Sequence, residues 1–228
     1  IIMTVGAGSS TNVIMKTIFD PGDKQVVFAP YFVEYANWAS NYHAETVVVP
    51  PNEANGFEPD PEALKKALDP KVKVVIINNP NNPTGAIYSR ETLEKIAEVL
   101  KEAEKEYGHP IYIITDEPYR ELVYVDKEIV FIPDLYDNTI IAYSWSKSLS
   151  IPGDRLGYLA VSPKSDNVDE FMAAATVANR ISGDTNAPSI IQLAVERCLD
   201  AQVDIPYYKK NAEDLYKIVT DAGFTAVV

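Results

Sequence analysis

A single cysteine, Cys198, stands in the 228 residues, so no internal disulfide can form. A reducing cytosol is then the simplest compartment, and a cytoplasmic protein is expected. Cys198 falls in the apolar-periodic run from Ile190 to Leu199, which reads as packing rather than as a nucleophile. Histidine is nearly as scarce: His43 and His109, with one cysteine, give no metal-ligand spacing, and no metal is expected. No stretch approaches the roughly eighteen apolar residues needed to cross a bilayer, so no membrane span is expected. Basic residues are also in deficit, 20 Lys and Arg against 33 Asp and Glu. The net charge of -13 argues against nucleic acid as a partner, because phosphate backbones call for clustered Lys and Arg. The opening Ile1-Ile2-Met3-Thr4-Val5 has no basic leader and reads as a strand rather than a signal peptide. It has no initiator methionine either, which leads to the expectation that the chain begins inside a longer parent.

What is present is alternation. Gln25 to Phe28, Glu45 to Val49, Val72 to Ile77, Ile111 to Thr115, Thr139 to Tyr143 and Leu156 to Val161 are rich in Val and Ile, as strands buried on both faces should be. Between them Ser10 to Phe19, Tyr31 to Ser40, Pro61 to Leu68 and Arg90 to Tyr107 have helical character, the last capped by Ser89. Strand-helix alternation predicts a three-layer α/β/α fold with a mostly parallel sheet and crossover helices on both sides. After Val161 the pattern turns helical: Asp166 to Ala178, Ala187 to Leu199 and Pro206 to Ala222, with Phe224 to Val228 opening a further strand. Two regions are expected, a sheet domain over residues 1–200 and a helical extension over 201–228 leading toward a second, smaller domain.

The chemistry-bearing residues cluster at strand ends. Lys147, in Ser144-Trp145-Ser146-Lys147, follows the buried strand that ends at Tyr143; a lysine there points into the crevice where α/β sheets bind ligands. Its amine can form an imine and, once displaced, shuttle a proton. Arg155 offers a planar fork for a phosphate, with Ser144 and Ser146 as hydroxyl donors; pairing with a neighbouring carboxylate is the plainer alternative. Gly6-Ala7-Gly8 follows a strand and precedes a helix, where backbone N–H groups can approach an anion. It is not a dinucleotide fingerprint, because Thr11 stands at the third glycine position. Asp116 ends an apolar strand, where it can serve as a turn residue or pair with a protonated pyridine nitrogen. Tyr119 and Asn82 can donate to a ring oxygen, although Asn78 to Gly85 also reads as a plain tight turn. Phe32 can stack on a ring or pack in the core, and Tyr31 and Tyr35 read as packing or interface residues. A lysine, an arginine with serines and a carboxylate are the groups needed to hold and use pyridoxal 5'-phosphate.

Asn-Pro-Thr-Gly at 82–85, Asp-x-x-Tyr at 116–119, Ser-x-x-Lys at 144–147 and the arginine eight residues later form a specific ordered series. In this series the chain resembles the fold-type I pyridoxal-phosphate aminotransferases of class I and II, from Thr4 to about Gln192. The resemblance implies Lys147 as the Schiff-base lysine, Asp116 as the pyridine-nitrogen partner, and Tyr119 and Asn82 as ring-oxygen partners. It implies Phe32 as the stacking aromatic, with Ser144, Arg155 and the Gly6-Ala7-Gly8 turn at the phosphate. Asn186 to Ser189 resembles a further family segment of less defined role. The implied activity is transfer of an amino group between an L-amino acid and a 2-oxo acid, by a homodimer.

Family members are longer, with an N-terminal segment and a C-terminal small domain that carries the arginine for the substrate carboxylate. This chain resembles the large cofactor-binding domain alone. Three other readings remain at this stage. A carbon-sulfur lyase, a decarboxylase or a cyclopropane-forming synthase shares the cofactor and the fold. A non-catalytic aminotransferase-like regulatory domain retains the same motifs. A penicillin-recognising hydrolase shares Ser144-x-x-Lys147 and Ser165-Asp166-Asn167, but it also needs Lys-Thr-Gly, which does not occur here.

Overall fold

A computed structural model describes residues 1–226. Seven strands form one sheet: β1 (Ile2–Thr4), β2 (Lys24–Phe28), β3 (Glu45–Val49), β4 (Val72–Asn78), β5 (Tyr112–Asp116), β6 (Thr139–Ser144) and β7 (Gly157–Val161). Their spatial order is β1-β7-β6-β5-β4-β2-β3. The pairs from β6 through β5, β4 and β2 to β3 are all parallel, and β7 is antiparallel to both its neighbours. The expected mostly parallel α/β/α sheet is what forms.

Alternation along each strand builds the two outer layers, since successive side chains leave opposite faces. Val74, Ile76, Tyr112 and Ile114 face α1 (Ala7–Ile18), α2 (Glu34–Ser40) and α5 (Val168–Ile181), joining Val13, Ile14, Tyr35, Phe171 and Ala175 in one core cluster. Val75, Ile77, Ile111 and Ile113 face the other way, toward Leu64 of α3 (Pro61–Ala67) and Leu93, Ile96 and Leu100 of α4 (Arg90–Tyr107). The expected cap of α4 forms: the Ser89 hydroxyl accepts the Thr92 N–H at 3.2 Å. Asp60 does the same for α3, accepting from Glu62 and Ala63.

The C-terminal third differs from its sequence pattern in three places. Helix α6 (Ser189–Glu196) stops before Cys198, so the thiol lies exposed in the following turn instead of packing. Helix α7 (Ile205–Asp221) buries none of its residues, and Tyr207, Leu215 and Ile218 face outward. The expected strand from Phe224 is absent over Phe224–Ala226, which are irregular, and Val227 and Val228 lie outside the described residues. Among the described residues no helix is long and apolar enough to cross a membrane.

Candidate active site

The parallel register brings the expected residues to one edge of the sheet. Asn78 pairs with Asp116, and Asp116 with Ala142; two residues further along, Ser144 pairs with Gly157, and Gly157 with Thr4. Asn78, Asp116, Ser144 and Thr4 are therefore the last residues of four mutually parallel strands. The antiparallel β7 begins at that same edge, immediately after Arg155. Ligands of open α/β sheets bind outside the carboxyl ends of strands, so this edge is the place to look.

Asp116 is the most constrained group there. It is buried, its backbone carbonyl accepts the Asn78 Nδ2–H at 2.8 Å, and its Oδ2 accepts the Tyr35 hydroxyl at 2.5 Å. Its Oδ1 is enclosed and has no hydrogen-bond partner among the described residues. Burial raises the carboxyl, the Tyr35 hydrogen bond opposes it and Glu117 adds to it, and together they leave it at about 6. Desolvation outweighs the single donor, so the site disfavours a bare carboxylate and favours one that meets a cation or a donor at Oδ1.

Tyr119 and Lys147 meet beside it. Lys147, in the turn after β6, holds its Nζ 5.7 Å from the centre of the Tyr119 ring. Among the described residues, no ion pair engages Lys147 or Arg155. The plainer alternative for Arg155, neutralisation by a nearby carboxylate, is thus not what forms. Instead its Nη1–H donates to the Pro152 carbonyl at 2.7 Å, and its backbone sits at φ 55°. That left-handed conformation costs a non-glycine residue about 1–2 kcal/mol and is characteristic of functional sites.

Gly6 and Gly157 allow the approach. Gly6 has φ 100°, and a Cβ on it would lie 2.6 Å from Arg155 Nη2. A Cβ on Gly157 would run into the Tyr143 carbonyl oxygen and lie 2.8 Å from Gly6 Cα. The turn is pinned beneath by the Thr4 hydroxyl, which donates to the Gly6 carbonyl at 3.2 Å and bonds the Ser10 hydroxyl at 2.7 Å. Gly6 provides no side-chain cap to α1, so the N–H groups of Ala7 and Gly8 open the helix without side-chain partners. A helix N-terminus, an arginine in no ion pair among the described residues and a glycine held against it are features that can take an anion.

Other expected residues are less exclusively placed. Ser144 is buried in β6, and Ser146 is half-buried in the turn that holds Lys147. Phe32 packs edge-on against Tyr35 and Trp38, with ring centres 5.6 and 5.8 Å away, so it borders both core and site. Asn82 is fixed through its backbone N–H, which donates to Asn78 Oδ1 at 2.6 Å. Two residues at this edge had been given no part in it. Tyr35 reads as packing from sequence, yet it lies three residues after Phe32, the spacing that shares a helix face. Asn78 reads as turn material, but an asparagine ending an apolar strand in register with Asp116 is the detectable signal.

Comparison with known proteins gives a consistent picture. The model of the family described as aminotransferase class I and II matches residues 1–222. An aspartate/prephenate aminotransferase of Thermus thermophilus is 32% identical, over 99% of this chain and 56% of its own length. An aspartate aminotransferase of Geobacillus stearothermophilus is 33% identical, over 100% and 57%. A solved aminotransferase from Eubacterium rectale superposes with a TM-score of 0.93 at 40% identity, covering 98% of this chain and 56% of that one. The chain spans a little over half the length of these relatives.

Proposed function

The chain belongs to the class I and II aminotransferases, and on that premise we propose that it forms the cofactor-binding part of a pyridoxal 5'-phosphate enzyme. The reaction proposed is transfer of an amino group between an L-amino acid and a 2-oxo acid. Aspartate is the first amino donor to test, since the relatives are named for it; aromatic and alanine-type donors come next. In this reading residues 1–200 are the large domain, 201–228 lead into the small one, and the enzyme is a cytoplasmic homodimer.

The observation that carries the reading is the enclosed Asp116 Oδ1, which has no partner among the described residues and lies on the same sheet edge as a lysine and an arginine that form no ion pair among them. These groups fit the cofactor's three handles. Asp116 meets a protonated ring nitrogen, which satisfies Oδ1 and makes the buried charge favourable. Arg155, Ser144, Ser146 and the Gly6-Ala7-Gly8 turn hold the phosphate. Tyr119 and Asn82 hold the ring oxygen, and Phe32 lies against the ring. The chemistry the bound cofactor supplies is an aldehyde for amines and a ring that draws electrons from the substrate Cα–H bond. Lys147 provides the amine for that aldehyde and, when the substrate's amine replaces it, takes the proton from Cα. Tyr119, over which Lys147 stands, orients that amine.

Absorbance of the purified chain with added pyridoxal 5'-phosphate tests this. A visible band is expected that Lys147→Ala abolishes and an added amino acid discharges. A band of equal strength in Lys147→Ala would assign attachment to another lysine and overturn the site.

A further inference from the structure

Tyr35 lies outside every role the motifs assign, yet it makes the only hydrogen bond to the Asp116 carboxylate among the described residues. Its geometry is set from several sides. Its ring meets Phe32 and Trp38 edge-on, at 5.6 and 6.0 Å between centres, and it is 1% exposed. Its backbone N–H donates to the Phe32 carbonyl at 3.1 Å, and its carbonyl accepts Gln25 Nε2–H at 2.8 Å, which ties α2 to β2. The hydroxyl has little freedom and points at one oxygen of one carboxylate.

We infer that Tyr35 is a positioning residue for Asp116: its hydroxyl fixes the carboxylate's rotation, keeps charge on it, and leaves Oδ1 as the presented oxygen. That Oδ1 is presented to a cationic ring nitrogen rests on the proposed function; the control of Asp116 by Tyr35 does not. A carboxylate with no side-chain donor would be free to turn about its last bond, and either oxygen would face the site. One donor on Oδ2 removes that choice.

The other titratable neighbours do not duplicate this role. Glu117, the residue after β5, opposes the charge on Asp116, and its own carboxyl is engaged by Thr115 and Arg120. Tyr119, after β5, and Tyr88, before α4, are felt by Tyr35 only through space. Asn78 from β4 binds the backbone carbonyl, not the carboxylate. Burial and the Asp116 charge both push the Tyr35 phenol well up, so it remains a neutral donor wherever Asp116 titrates.

Carbon-13 carboxyl resonances of aspartate-labelled protein, followed against pH, test the inference without cofactor. The Asp116 signal is the one that Asp116→Asn removes. Tyr35→Phe should make Asp116 hold its proton at least about tenfold more tightly, because a hydrogen bond to an ionised group is lost. An unchanged midpoint in folded Tyr35→Phe overturns the inference. If that variant does not fold, 2,3-difluorotyrosine placed at position 35 keeps the ring and strengthens the donor. The midpoint should then fall, and no movement overturns the inference. Failure of the absorbance experiment with a positive result here would reject the cofactor reading and leave the Tyr35–Asp116 relation standing.

Discussion

Two groups of polar side chains at opposite ends of β5 and β6 are treated in opposite ways. At the amino end, Asn138 Nδ2–H donates to Glu104 Oε1 at 2.7 Å and to Asp166 Oδ2 at 3.2 Å, and its Oδ1 accepts from the Ser165 hydroxyl and the Asp166 N–H. Glu104 Oε1 also accepts the Ile111 N–H, and the Tyr136 hydroxyl donates to the Ile111 carbonyl. Every polar atom of Asn138 is engaged. At the carboxyl end, among the described residues, Asp116 Oδ1 has no partner and Arg155 no carboxylate, and Lys147 lies over a ring. A network that is closed specifies the fold, whereas a buried oxygen left open beside unpaired cationic side chains can take a ligand. The contrast separates structural from functional polarity within a single sheet.

The sharpest break of that contrast is steric. Gly157→Ala drives a methyl group into the Tyr143 carbonyl and the Gly6 backbone, neither of which is a flexible side chain. A loss of more than about 3 kcal/mol is expected in urea denaturation, from overpacking against rigid backbone. A mild effect would mean that the glycine turn can move aside, and the proposed phosphate site would lose its geometric basis. The closed end comes next. Asn138→Ala strands the buried Ser165 hydroxyl and frees the half-buried Glu104 carboxylate, and should cost about 1–2 kcal/mol. It should leave pyridoxal phosphate absorbance per folded molecule unchanged. A weakened band at full folding would join the two ends and dissolve the comparison.

How much of this was legible beforehand follows from the physics of each signal. Strands came through because burial on both faces forces unbroken Val and Ile, and α4 came through because Ser89 and its apolar spacing are local. Lys147, Asp116 and Arg155 were found by residue type at strand ends, which topology then gathers at one edge. Their roles at that edge are part of the proposal. Tyr35 was missed because its partner is 81 residues away, and no local pattern distinguishes a core tyrosine from one aimed at a carboxylate. Cys198 was misread because hydrophobic periodicity ran past the end of α6. The apolar residues of α7 gave a helix correctly, but a helical period does not reveal whether a face is covered.

A subtler probe asks whether the open end costs stability. The Asp116 carboxyl, raised chiefly by burial to about 6, stands above its ordinary value of about 4. A raised acid favours folding fully below the unfolded value and loses that contribution as pH rises through the folded one. Between about pH 4 and 6 the chain should therefore lose about 2 to 3 kcal/mol from this group alone. Asp116→Asn should remove that component, so the difference between the two proteins' urea midpoints should change across this window and level off above it. A difference that is flat with pH would mean that Asp116 is already satisfied, and the carboxyl end would be as closed as the amino end.

The smallest expected effect concerns the backbone of Arg155. Glycine adopts φ 55° without the clash that a Cβ brings, so Arg155→Gly relieves strain at that position. It also removes the Nη1–H bond to the Pro152 carbonyl and adds freedom to the unfolded chain. These losses offset part of the relief, leaving a gain of at most about 1 kcal/mol in urea denaturation. Affinity for pyridoxal phosphate should move in the opposite direction and far more, since the fork for the phosphate is gone. Arg155→Lys separates the two contributions: it retains the charge and the strain but not the fork, so stability should show no gain while cofactor affinity falls. Should Arg155→Gly lose stability instead, the left-handed turn would be a structural requirement of β7 and not strain held for a ligand.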